Sequence, residues 1–504
     1  MLRAGTWFLL LVLCGFSTLT YAQVRTIKGT VTTSDTKETL PGATIVIKGT
    51  TSGTAPDLDG NFTLNVPAGG AVLVVSYVGY NAKEIPIGAQ DVYDIVLEPS
   101  KVSLDEVVVI GYGTVRKSDL TGSVSSLKSD DITKITALNP VQSLQGKVTG
   151  VQVTSASGTP GESPVVRVRG VGTFNNASPI YVVDGVILDD ISFLNSGDIT
   201  SMEVLKDASA TAIYGSRGAN GVILITTKSG KGAADKTVIT LSAELGIQNL
   251  AREIDLLSGR EFAIISNEIK PGSYNNVDAV PNTNWQDLIF HSAPVYNVQL
   301  AASGSGKLSQ YYISLSYFNQ DGIIDKSNYE RITFKLNNIF NLSKYVRFGN
   351  NITLAPFDQQ IAPDVTYAAY RAQPLLEPYY DDGSFAVVYN VGNPLASLKY
   401  SNNFVRGFRG VGNLYGEVDF LKMFTFKSSF GLDAGYYKAE SYTPAYTVYN
   451  PDGTASQQDF PQSKLVKGSN DILTWLWENT MTFKKAFGKH TVDALAGYTM
   501  QNTS

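Results

Sequence analysis

Cysteine is almost missing. The single one among 504 residues is Cys14, and histidine occurs only twice, at His291 and His490. Cys14 lies inside a leading segment that reads as a secretory signal, so the chain beyond it can form no disulfide and offers no thiolate. A lipid anchor on Cys14 is a poor reading, because bulky Leu13 precedes it and the signal would be very short. The two histidines stand far apart and neither sits in an H-E-x-x-H setting, so no metal centre and no catalytic base is expected. The acid pairs Asp189-Asp190 and Asp381-Asp382 fall among turn residues and read as solvated loops. No nucleophile, base and acid come together in the pattern. The expectation is a protein that is no enzyme and needs no cofactor.

Charge is also scarce. Only 17% of residues are charged and the net charge is −5, which argues against a nucleic-acid partner. Beyond the leader no uninterrupted apolar run approaches the ~20 residues of a membrane-spanning helix. Any membrane crossing must then be made by strands closed into a β-barrel. What the chain does have is 27 Tyr and 46 Gly among abundant small polar residues, a balance that suits a β-rich outer-membrane protein.

Residues 1–22 carry Arg3, an apolar core over 7–15, and Thr20-Tyr21-Ala22 as a cleavage site before Gln23. Residues 23–100 alternate short β-branched runs with turn residues, at 24–32, 43–48, 61–66, 71–77 and 92–98, and predict a small β-sandwich. Asp57, Asp59 and Asn61 could open a calcium loop, but the twelfth position is Ala68, so Asp59-Gly60 reads as a turn. This domain holds no histidine or cysteine, which excludes zinc.

Residues 101–118 link this domain to the next. Asp105 and Glu106 precede Val107, Val108, Val109 and Ile110, a β-branched run. Such a strand with a free edge is what strand addition by a partner needs. It could equally be the last strand of the sandwich, or a plain linker.

Residues 119–232 predict an α/β domain. Its fullest signal is SPIYVVDGVILDDISFLNSGDITSMEVLKDASATAIYGSRGANGVILITTKSGK, residues 178–231. This predicts a strand over 179–183, a turn at Asp184-Gly185, and a short helix over 199–205. Ile199, Met202 and Leu205 have the helical spacing, with Asp198 as cap. Gly215, Gly218 and Gly221 predict a tight turn, and 221–227 a strand too apolar to face water on both sides. The three glycines are not a phosphate loop, since no P-loop lysine follows at the right spacing. Upstream, Arg167 and Arg169 are expected on one face of a strand.

From residue 233 to 504 the period is two. Ile239, Leu241, Leu245 and Ile247 alternate with polar neighbours, as do Ile332, Phe334 and Leu336, and later Phe424, Phe426, Phe430 and Leu432. About nine strands result. Short connections near 303–309, 341–344, 421–423 and 484–490 alternate with longer ones near 248–294, 321–330, 355–410 and 436–470, the pattern of an outer-membrane barrel.

The ordered run VDG, DI and MEVLKDASATAIYGSRGANGVILITTK, with PVVRVRG at 164–170 and LQGKVTG at 144–150, resembles the plug of SusC/RagA-type TonB-dependent outer-membrane transporters. LPGA at 40–43 and DLDGNF at 57–62 resemble the carboxypeptidase-regulatory-like domain often placed before such plugs, with no peptidase activity implied. The resemblance implies a β-rich multidomain fold: that β-sandwich, an α/β plug, and a transmembrane antiparallel β-barrel that is incomplete, since the family closes about 22 strands around a plug. The chain is therefore expected to be an N-terminal part.

The resemblance also implies that Asp105 to Ile110 is the TonB box, gripped by TonB with its ExbB–ExbD motor. Inside a barrel, Arg167, Arg169, Glu203, Lys206 and Asp207 become candidates for plug–barrel contacts, or else pair within the plug. The implied function is import of oligosaccharides or oligopeptides across the Gram-negative outer membrane, with a SusD-like surface lipoprotein as lid. In the alternative, a TonB-linked receptor signals substrate to an anti-sigma factor; such receptors carry a different domain ahead of the box.

Overall fold

A computed structural model of the chain describes residues 24–34, 37–50, 52–67, 72–77, 80–98, 107–110, 113–116, 124–155, 157–230, 236–488 and 490–504. The leader, Asp105 and Glu106 lie outside the described residues. The chain divides into two compact units, residues 1–107 with 116–118, and residues 108–115 with 119–504.

The first unit is a sandwich of two sheets. Strands β1 (Val24–Thr33), β4 (Asn61–Pro67) and β7 (Val92–Leu97) form one sheet in the order β4-β1-β7. Strands β2 (Thr44–Ile47), β3 (Gly53–Thr54), β5 (Val72–Ser76) and β6 (Lys83–Pro86) form the other, in the order β3-β2-β5-β6. Alternate residues of β5 and β7 are buried, as period-two patterning requires. Ile27, Ile45, Phe62, Leu73, Tyr93 and Ile95 meet in one core between the sheets. At the DLDGNF turn, one Asp57 carboxylate oxygen accepts the Asp59 and Asn61 amides at 3.0 and 2.8 Å. That oxygen serves the turn, and among the described residues no acidic cluster could hold a metal.

Strands β8 (Val107–Ile110) and β9 (Gly113–Arg116), which fall in the second unit except for Val107 and Arg116, pair as a two-stranded sheet. The plug follows. Strands β10 (Val124–Lys128), β13 (Ile180–Val183), β14 (Val186–Leu188), β15 (Ile199–Leu205) and β16 (Val222–Thr227) form a sheet in the order β10-β15-β16-β13-β14. Strands β11 (Val151–Thr154) and β12 (Val165–Val168) form a separate antiparallel pair. Helix α1 (Ser129–Ile132) follows β10, and α2 (Ala208–Thr211) leads into a 3-10 segment, Ala212–Asn220.

Central β16 is covered on both faces. Ile223 and Ile225 join one cluster, and Val222 and Leu224 another. Its unbroken apolar run reads correctly as a strand with no wet face. The Asp184-Gly185 turn is also as expected, with φ of 48° and 94°, the left-handed values that this dipeptide tolerates.

One expectation fails. Residues 199–205 are strand β15, not a helix, and pair with both β10 and β16. Ile199, Met202 and Leu205 do have helical spacing, but Val204 and Glu203 are buried as well. Two neighbouring strands supply backbone partners, and this tertiary setting overrides a three-residue coincidence.

The remainder is one sheet of nine antiparallel strands in chain order: β17 (Val238–Gln248), β18 (Ala293–Ser305), β19 (Ser309–Asp321), β20 (Asn328–Asn341), β21 (Val346–Gln360), β22 (Asn402–Phe420), β23 (Phe424–Thr443), β24 (Lys464–Phe487) and β25 (His490–Thr503). Ile239, Leu241, Leu245 and Ile247 point outward and are 70–76% exposed. Gln299, Ser314, Thr333, Lys335 and Thr353 point the other way and are buried. The barrel wall is open: β17 and β25 have no second neighbour among the described residues.

The late strands outrun the expectation, with β24 reaching 24 residues. In their upper parts, as in KLVKGSND, apolar and polar residues no longer alternate, while backbone pairing continues. The long connections shrink accordingly to 361–401 and 444–463. The connections 249–292 and 361–401 carry helices that the period-two reading passed over: α3 (Gly259–Ile269) and α4 (Trp285–Ile289) in the first, α5 (Thr366–Arg371) and α6 (Pro394–Tyr400) in the second. Ser258 and Glu261 form a reciprocal capping box at the start of α3. Trp285, Ile289, Val365, Ala369 and Leu398 give the loops a core of their own. Among the described residues no helix is long and apolar enough to cross a membrane, which says nothing about strands.

Candidate functional site

The seam between plug and wall is the most organised polar region of the second unit. It begins at Asn195, whose side chain accepts the Gly197 amide at 2.8 Å and donates to Asn297 of β18 at 2.7 Å. Gly197 passes so close to the wall that a Cβ there would lie 2.2 Å from the Gln299 side-chain oxygen. Asp198 follows and is fully buried. One of its carboxylate oxygens accepts from Gln299 Nε2 at 2.7 Å, Tyr312 OH at 2.8 Å and Ser314 Oγ at 2.6 Å. Asp198 is thus no helix cap. It is a plug carboxylate held by three wall side chains, and charge-assisted bonds of this kind are the strong ones.

A second set runs the other way. Arg331 of β20 is 2% exposed and donates to the carbonyls of Ser192, Leu138 and Leu194, the last at 3.2 Å. Thr333, two residues on and so on the same face, donates to Phe193 O at 3.4 Å. The third set surrounds the Asp184 turn. Asn413 donates to Asp184 O at 3.1 Å, and Asn351 donates to its carboxylate. Lys335, with no exposed surface, lies 3.9 Å from that carboxylate and donates to Asn351 Oδ1 at 2.8 Å. A buried cation beside a half-buried anion needs such extra partners to offset desolvation.

The charges singled out in the sequence sit elsewhere. Arg167 donates to Val166 O and Ser178 Oγ at 2.9 and 3.2 Å. Arg169 has φ 57° and lies past the end of β12, so it does not share a strand face with Arg167. It pairs with Asp207. Lys206 donates to Ser125 Oγ at 2.7 Å and Thr149 O at 2.5 Å. Burial, aided by the Arg169 guanidinium and opposed by Asp207, pushes the Lys206 ammonium below its ordinary range. Glu203 is buried and accepts from Ser126 Oγ at 3.5 Å. All of these partners are plug atoms.

The wall is met instead by Asp184, Asn195, Asp198, plug carbonyls and, at the last strand, Arg217, which donates to Gln501 Oε1 at 2.5 Å. Asp198 carried a sequence signal, as an acid directly before Ile199, Met202 and Leu205, but that pattern points to a helix cap and not to the wall. The carbonyls carried none, because every residue has one. Of the residues ahead of the plug, Val107, Val108, Val109 and Ile110 form β8, with its β9 partner on one edge.

Comparison with known proteins agrees with this architecture. Residues 27–109 match the CarboxypepD_reg-like domain, and residues 116–222 match the TonB-dependent Receptor Plug Domain. The chain is 39% identical over 497 residues to TonB-dependent receptor P3 of Formosa agariphila, covering 95% of this chain and 48% of that one. It is 36% identical over 440 residues to TonB-dependent receptor SusC of Bacteroides thetaiotaomicron, covering 79% and 43%. Among solved structures, the RagAB peptide importer in its open-open state superposes with a TM-score of 0.66 at 24% identity, over 79% of this chain and 50% of that one, a likeness of fold. The chain spans about half the length of these relatives. A regulatory-like sandwich, a plug and an antiparallel wall with polar residues inside occur here in one order, and over the half of their length that it spans the chain is similar to the TonB-dependent receptors of the SusC type.

Proposed function

We propose that the chain serves TonB-dependent import of oligosaccharides or oligopeptides across the outer membrane of a Gram-negative cell. TonB, driven by ExbB–ExbD, grips Asp105, Glu106, Val107, Val108, Val109 and Ile110 by strand addition and loosens the plug. A SusD-like surface lipoprotein closes the long-loop end. The likeness to SusC supports this transporter type, and the likeness to the RagAB importer supports its fold.

The observation that carries this reading is the seam's polarity. Asp198 and Arg331 hold plug to wall through hydrogen bonds. Water can replace each such bond as the plug shifts, which is why even one to a charged group is worth only ~1.5–3 kcal/mol net. An apolar seam of the same area would resist opening, because it would expose hydrocarbon.

The test is Val108→Pro. Proline removes a backbone donor and cannot sit in a paired central strand. Binding of the periplasmic TonB domain should weaken at least about tenfold, the equivalent of one or two lost hydrogen bonds. Uptake of labelled cargo should stop while surface capture persists. Unchanged TonB binding would return the segment to a linker.

A further inference from the structure

The two ends of the wall differ in charge. The short connections 306–308, 342–345 and 421–423 hold Lys307, Lys344 and Lys422 in turn, and none of them holds an acid. Lys485 joins this rim near the end of β24. Each lysine has a large apolar neighbour in the open: Leu308, Leu342 and Leu421 are 70–73% exposed, and Phe487 is exposed as well. The acids at this end are already taken. Glu417 and Asp419 alternate with the exposed Val418 and Phe420, so they lie on the opposite face, where both pair with Arg347. Asp493 lies 3.7 Å from Lys484. Among the described residues, the four rim lysines have no ion pair. At the long-loop end charges are matched instead, Arg406 with Asp358 at 2.8 Å and Lys467 with Glu440 at 3.3 Å.

Aromatic rings mark the depth at which the rim stands. Phe420, Phe424 and Phe483 form a row, with centroids 5.5 and 5.1 Å apart. Tyr436 is exposed further along β23, on the face of Phe424. The ~12 residues between them rise ~3.3 Å each at a tilt of ~40°, so the two levels are roughly 30 Å apart, the thickness of a hydrocarbon core. The lysines lie just beyond the lower row. Lys344 Nζ is 4.8 Å from the centre of the Tyr345 ring and Lys485 Nζ 5.1 Å from that of Phe487, the arrangement of snorkelling cations. Leu421 and Lys422 have φ of 52° and 55°, values that turns ordinarily give to Asn or Gly. An apolar residue and a cation thus hold positions that backbone preference assigns to others.

We infer that this rim binds the phosphates of anionic glycerophospholipids in the leaflet on the short-turn side. The inference rests on the outer-membrane part of the importer reading, in which short turns face the periplasm. The leucines and Phe487 enter the acyl boundary and the ammonium groups meet the headgroups. A lysine beside an anionic surface is attracted to it, and here no protein carboxylate competes for the charge.

The test is residue-resolved acetylation of lysines in the full chain in maltoside micelles. The additives are phosphatidylglycerol, phosphatidylcholine or inorganic phosphate. Phosphatidylglycerol should slow acetylation of Lys307, Lys344, Lys422 and Lys485 about fivefold, the gain that an anionic surface gives one nearby cation. Lys270, at the end of α3 in a long connection, should react as before. Raised salt should erase the protection. Leu421→Asn combined with Lys422→Gly gives that turn the residues its backbone favours. Near-ultraviolet circular dichroism should therefore stay unchanged while less phosphatidylglycerol is retained on gel filtration. The inference is overturned if phosphatidylcholine or inorganic phosphate protects as well as phosphatidylglycerol, if nothing protects, or if the double variant retains as much lipid. Unprotected lysines, with uptake still abolished by Val108→Pro, would remove the lipid inference and leave the importer reading standing. Protected lysines with proline-insensitive uptake would do the reverse.

Discussion

The sandwich and the plug are both small β-containing domains, yet they complete themselves differently. In the sandwich, the buried apolar residues of the two sheets form one shared core, and Thr33 is the one buried polar residue among those described. In the plug, the apolar clusters take in Ala355 and Val411 of the wall, and Leu138 packs with Val295, Phe318 and Tyr329. Its buried polar groups at Asn195 and Asp198 find partners on β18 and β19. A self-sufficient core makes a module, whereas a shared polar seam makes a part that stays in place only while its surroundings supply donors.

The contrast can be broken most sharply by excision. Residues 24–99 alone should unfold in one cooperative transition, and residues 119–232 alone should show none, having lost the wall donors to Asp198. Thermal melts followed by near-ultraviolet circular dichroism decide this, and a sharp transition for the excised plug would end the distinction. Next in size is Ile45→Ala in the sandwich, where Ile45 is fully buried. It should cost on the order of 4 kcal/mol in a denaturant titration of the excised domain. In the whole chain it should leave hydrogen exchange along the seam unchanged.

Asp198→Ala should cost the seam on the order of 3 kcal/mol, because it strands the Gln299, Tyr312 and Ser314 donors. Asp198→Asn keeps an acceptor and should cost less. Exchange should speed at residues 196–199 and not in the sandwich; equal effects on both would mean that the seam is no separate element. Smallest is Arg169→Ala. Its side chain is 52% exposed in the pair with Asp207, so it should cost under about 1 kcal/mol and leave seam protection intact.

Local patterning was legible wherever one face of an element is apolar. Five of the seven sandwich strands, the Asp184-Gly185 turn, the buried run of β16 and the nine wall strands could be read from period and turn chemistry, whereas the short strands Gly53–Thr54 and Lys83–Pro86 were passed over. The strand over 199–205 could not, since what makes it a strand is pairing to residues 124–128 and 222–227. The loop helices were signalled by Ser258-Gly259-Arg260-Glu261, a capping box set within a region of otherwise alternating pattern.

By itself, then, the sequence determined the architecture and the family, because alternation, turn dipeptides and an ordered plug motif are local properties of the chain. Tertiary structure alone decided which charges join plug to wall. Arg167, Arg169 and Lys206 are as prominent in the sequence as Asp184 and Asp198, but the first three meet plug atoms and the last two meet the wall. The physical reason is that a buried charge is stabilised by the partners within about 4 Å of it, and those partners lie more than a hundred residues away along the chain.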